Sequence, residues 1–154
     1  MAERLRLDDL LAGGRLKRHS PSQAETGDLL ALAERQLSDA SVTGLSPDGR
    51  FAAAYSAALT LATVVVRANA LRVAAAPGHH RLTIDLLPVF MGDQQRRGAT
   101  YLDVCRRKRN VAQYDRSDTV TPAETQALRA AARELREEVL AWLAEAHPEL
   151  LSLP

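Results

Sequence analysis

FAAAYSAALTLATVVVRANALRV, residues 51–73, holds the longest apolar runs of the chain, and its period decides the fold class. Phe51, Tyr55, Leu59, Ala62 and Val66 recur at three- and four-residue steps, which is one ridge of an α-helix. Ala53, Ala54, Ser56, Ala57 and Ala58 are small enough to admit a neighbouring helix closely. Ser46-Pro47-Asp48 is a helix start, so this helix is expected from there to about residue 73. The β-branched residues at 63–66 lie inside the helical pattern. Tyr55, Ser56, Thr60 and Thr63 interrupt the apolar runs and Arg67 follows, which reads as too short and too polar for a membrane span of about 20 apolar residues.

The pattern extends outward in both directions. Upstream, Ser20 can cap a helix, Pro21 suits its first turn and Gln23 stands at the capping-box position. Leu29, Leu30, Ala33, Leu37 and Ala40 then keep helical spacing until Gly44. Downstream, Pro77-Gly78 breaks the chain, a short helix is expected at 80–89, and 91–99 reads as a polar loop. Thr100 opens a fourth helix over 101–115. Thr121-Pro122-Ala123-Glu124 is a capping box for the last, whose stripe is Leu128, Ala132, Leu135, Val139 and Trp142, and His147-Pro148 stops it. No useful stretch alternates with period two. The expectation is an all-α, up-and-down antiparallel bundle of about five helices over residues 20–147. Residues 1–19 are expected to be a flexible arm with one helical turn near 7–11, and residues 148–154 a tail.

Composition narrows the function classes. Of the 154 residues 46% are hydrophobic but only 4% aromatic, so alanine and leucine, both strong helix formers, build the core. Charged residues are 25% and the net charge is +1, which argues against a disordered tail or a uniformly basic coat. The single cysteine, Cys105, excludes an internal disulfide and a cysteine-based zinc site, and a reducing cytoplasm is the simple expectation. No histidine or carboxylate cluster has metal-ligand spacing, and phosphate-loop, dinucleotide and hydrolase signatures are missing. Neither metal nor cofactor is expected.

The near-zero total hides segregated charge. Between residues 96 and 116 seven cations stand against Asp103 and Asp115, whereas residues 122–149 carry six glutamates against three arginines. On a helical wheel of the fourth helix, Leu102, Cys105 and Ala112 make an apolar stripe, and Arg109 falls inside it. A guanidinium there needs an acceptor or a cleft. With Asn110, Tyr114 and Asp115 it forms a compact polar constellation, while Arg106, Arg107 and Lys108 extend the basic face. The structural alternative is that these cations offset the helix dipole and that Arg109 pairs with a glutamate of the last helix.

CRRKRNVAQYD, residues 105–115, resembles the final motif helix of HEPN domains, in which an arginine is followed by a polar residue, often Asn, and a histidine four to six residues after the arginine. Arg109 and Asn110 match, and Tyr114 stands where that histidine would be. The ordered segments FAAAYSAALTLATVVVRANALRV, GHHRLTIDLLP and YLDVCRRKRNVAQYD are similar to HEPN proteins over about residues 29–146. The resemblance implies an RNA-associated or nucleotidyltransferase-partner domain, a component of a toxin–antitoxin pair among the options. It also implies a homodimer meeting through the motif helices. A tyrosine has an ordinary pKa near 10 and is a poor general base at neutrality, so efficient nuclease activity is not expected. The alternatives are a metal-independent endoribonuclease using Arg109, Asn110 and a displaced histidine, and a structural interaction module. His79 and His80, next to Arg81 at a helix entry, are secondary phosphate-binding candidates, as is Asp115 for the site; no membrane association is expected.

Overall fold

The computed structural model describes residues 6–112 and 119–151, and these form an all-α bundle with one small two-stranded sheet. The elements are α1 (Leu7–Ala12), β1 (Leu16–Arg18), α2 (Gln23–Asp39), α3 (Pro47–Ala68), β2 (Leu71–Val73), α4 (His79–Asp85), α5 (Leu87–Met91), α6 (Arg96–Asn110) and α7 (Pro122–Ala146), with single 3-10 turns at Asp93–Gln95 and Pro148–Leu150.

Side-chain pairs fix the helix directions. Arg67 bonds Glu25 at 3.0 Å and Thr60 bonds Gln36 at 2.8 Å, so α3 runs antiparallel to α2. Thr125 at the start of α7 bonds the carbonyl of Pro47 at the start of α3 at 3.1 Å, so these two run parallel. Gln95 and Lys108 of the α6 region reach Glu138 and Glu124, which sets α6 antiparallel to α7. The long helices therefore follow the expected up-and-down order.

Helix α3 is the axis. The expected single ridge is only part of its buried surface, because Ala54, Ala57, Ala58, Leu61, Val64 and Val65 are buried as well, each at most 2% exposed. A helix apolar all round belongs inside a structure, and its alanines let α2, α7 and α6 close on it from different sides. By length and composition α3 is long and apolar enough to cross a membrane, contrary to the sequence expectation, and 67% of its apolar window is buried within the bundle.

Several boundaries move. Ser22, not Ser20, caps α2 by accepting from the Glu25 amide, and α2 ends at Asp39, ahead of Gly44. Helix α3 stops at Ala68, short of 73, where Asn69 Nδ2 donates to the Val65 carbonyl and Ala70 takes a left-handed conformation, φ 61°. The expected third helix is two, α4 and α5. Helix α6 begins at Arg96, inside the stretch read as a loop. At Thr121 both capping-box bonds form, at 3.0 and 3.1 Å.

Within the expected flexible arm, residues 6–19 are structured. The expected turn is α1, and β1 pairs antiparallel with β2, Leu16 facing Val73 and Arg18 facing Leu71. Leu10 and Leu16 are buried against Val66, Leu71, Leu82 and Leu86 in a second cluster, so apolar burial holds this segment down. The 3-10 turn after α7 likewise buries Leu150 in the main core, where a tail was expected.

Candidate anion-binding site

The site forms where the last turns of α6 cross Tyr55 of α3 and the first turn of α4. Tyr55 is the floor. Its ring is 1% exposed, and its hydroxyl is enclosed without a hydrogen-bond partner. The Arg109 guanidinium lies over that ring, 5.3 Å from its centroid. Such a cation–π contact is worth about 0.5–1 kcal/mol when exposed and about 2 when desolvated, so it orients the arginine without neutralising it.

The four consecutive cations of α6 have different partners. Arg106 Nε donates to Asp103 at 2.9 Å, Arg107 approaches the other oxygen of Asp103 at 3.7 Å, and Lys108 pairs with Glu124 of α7. Besides the Tyr55 ring, Arg109 meets the side-chain oxygen of Asn110 at 3.5 Å, and its Nε is buried without a partner among the described residues. Among the described residues it is thus the one member of this run with no carboxylate. The stripe read from the sequence explains its position, because Leu102 and Cys105 are buried, and the next turn carries Arg109 half-buried toward Tyr55. The structural alternative paired Arg109 with a glutamate of the last helix; among the described residues it is Lys108 that makes such a pair, with Glu124.

Helix α4 adds two histidines to the same corner. The His80 ring is 6.4 Å from that of Tyr55, and the His79 and His80 rings meet edge to face at 4.2 Å. His79 Nδ1 donates to the Ala76 carbonyl at 2.7 Å, since a carbonyl oxygen only accepts. Burial, and after it His79, Arg109 and Arg106, hold His80 below the ordinary histidine pKa. Burial raises the Tyr55 phenol to about 12 despite Arg109 and Arg106, so it stays protonated at neutral pH.

The structure therefore brings His79 and His80, secondary candidates in the sequence, to the corner held by Arg106, Arg109 and Asn110, which the sequence already grouped on one helix. Arg107 is on the exposed side, and Lys108 turns to α7. Tyr114 and Asp115 lie outside the described residues. Tyr55 was read only as core. The signal that could have marked it is a phenol on an otherwise apolar ridge. His19, assigned to a loose end, instead bonds Glu25 at 2.8 Å beside Arg67. No group of three or more potential metal ligands is found among the described residues.

Comparison with protein-family models, curated proteins and solved structures finds no match. The resemblance to HEPN domains rests on the motif segments quoted above.

Proposed function

We propose that this bundle is a HEPN-like, RNA-associated domain that holds a phosphate of single-stranded RNA on Arg109 and does not cleave it efficiently. The observation that carries this reading is Arg109 itself, a half-buried guanidinium held on an aromatic face with no carboxylate partner among the described residues. Arginine's planar fork suits two-point contact with phosphate oxygens. Arg107 and the more distant Arg96 and Arg97 extend the positive face, although Arg96 shares its charge with Asp93 at 2.9 Å.

The test is binding of a fluorescent single-stranded RNA across a salt series. Arg109→Ala is expected to lower affinity at least tenfold, and Arg106→Ala with Arg107→Ala to reduce the log–log salt slope by about one to two units, each neutralised phosphate contributing about 0.7. Absence of binding in low salt overturns the RNA reading and favours a protein partner of the nucleotidyltransferase kind. The exposed Val104 on α6 and Val111 just after its end are the side chains on which such a partner, or a second copy in a homodimer, would close.

His80 supports a second reading, a metal-independent endoribonuclease. It supplies an imidazole that shares the Tyr55 ring with Arg109, on a different helix from the one expected. RNA cleavage in EDTA, lost in both Arg109→Ala and His80→Gln, would establish it in place of the non-cleaving reading.

A further inference from the structure

We propose that His80, with Arg109 and Arg106, forms a phosphate seat that takes up one proton from solvent, on the His80 imidazole, when a phosphate group enters. This rests on the RNA-associated reading only for the source of that phosphate. The geometry is a cluster from three elements. Tyr55 of α3 is the shared floor, the Arg109 guanidinium lies on its face, and the half-buried His80 ring of α4 stands 6.4 Å from it.

The groups facing His80 set the direction. From its own helix comes His79, at 4.2 Å between rings, while Arg81 is turned to Asp85 at 3.7 Å. From α6 come Arg106 and Arg109, the first already engaged by Asp103. From α3 comes the Tyr55 phenol, neutral at physiological pH. Helix α5 has no titratable side chain, and Arg72 of β2 is exposed. In the free protein the imidazole thus sits among cations in a partly dry setting, and both effects favour its neutral form. A phosphate bridging Arg109 and His80 reverses the local charge. The protonated imidazole then becomes a second charged donor to the same group. No bond other than N–H forms or breaks.

The experiment has two arms on the full chain. In the first, the imidazole signals of ¹⁵N-histidine-labelled protein are titrated with pH, with and without inorganic phosphate, His80→Gln serving to assign the resonance. Phosphate is expected to raise the His80 midpoint by about one pH unit, corresponding to about tenfold tighter binding of phosphate to the protonated form. In the second, affinity for a single-stranded RNA is measured from pH 5 to pH 8. It should fall as pH rises, by about threefold per pH unit at the steepest point and about tenfold in all, as a one-unit shift of one linked proton requires. That slope should vanish in His80→Gln and persist in His79→Gln. RNA binding with no pH slope, or with the same slope in His80→Gln, overturns the proton-linked seat and leaves the RNA reading standing. A phosphate-induced shift of His80 without RNA binding does the opposite. An unmoved His80 midpoint in wild type overturns the proposal even if the substituted chain fails to fold.

Discussion

Tyr55 carries two unequal contributions. Its ring fills the core beside Phe51 and supports Arg109, whereas its enclosed hydroxyl has no partner. Leaving a buried donor unsatisfied costs about 1–3 kcal/mol. Tyr55→Phe keeps the ring and removes that cost, so the urea midpoint should rise, corresponding to about 1 kcal/mol, with RNA affinity unchanged. Tyr55→Ala removes ring and hydroxyl together and should destabilise by about 3–5 kcal/mol, as large-to-small aromatic substitutions do. A drop in stability for Tyr55→Phe would mean that the hydroxyl is hydrogen-bonded in solution. His80 gives a second residue-scale expectation. Its folded-state pKa lies below the ordinary 6.5, so the unfolded chain binds this proton more readily than the folded one. Its contribution to stability is full above about pH 6.5 and is lost as pH falls from there through the folded value. Thermal unfolding of the free protein between pH 7.5 and 5 should show a smaller acid loss in His80→Gln than in wild type.

At the scale of elements, ends and surfaces divide what was readable from what was not. The capping box of α7 was legible because Thr121 and Glu124 need only each other and the backbone between them. Thr121→Ala should cost about 0.5–2 kcal/mol of stability, measured by chemical unfolding, without altering RNA binding. The fourth-helix stripe was legible for the same local reason, since Leu102, Cys105 and Arg109 are set by helical spacing alone. The two-stranded sheet was not. Its two strands have three residues each, too few for an alternating pattern, and Leu16 is buried only because Leu71 and Val66 come to meet it. The division of labour among the α6 cations was equally hidden. Lys108 finds Glu124 across a tertiary contact, and adjacent positions in a basic run give no sign of which will be paired. Tyr55 and His80 join the site for that reason too, from segments distant in sequence.

For the whole molecule, the second cluster makes the N-terminal segment with β1 part of the folded body. Deleting residues 1–18 strips Leu10 and Leu16 from Val66, Leu82 and Leu86. Each such leucine is worth about 1.5–3 kcal/mol when fully buried, so the shortened chain should melt at a distinctly lower temperature by circular dichroism. An unchanged melting temperature would show that the cluster contributes nothing in solution.

The parallel alignment of α3 with α7 has a kinetic consequence. Helices α2 and α3 are neighbours in sequence and close as a hairpin early, at little loop entropy, whereas α7 must return across the intervening chain to reach the other side of α3, Thr125 meeting Pro47. Docking of α7 is then expected to be the late event on the route to the native state. Leu37→Ala on α2 should chiefly slow refolding, and Leu128→Ala on α7 should chiefly speed unfolding, in a stopped-flow chevron. Equal partition of both substitutions between the two limbs would mean that the three helices condense together.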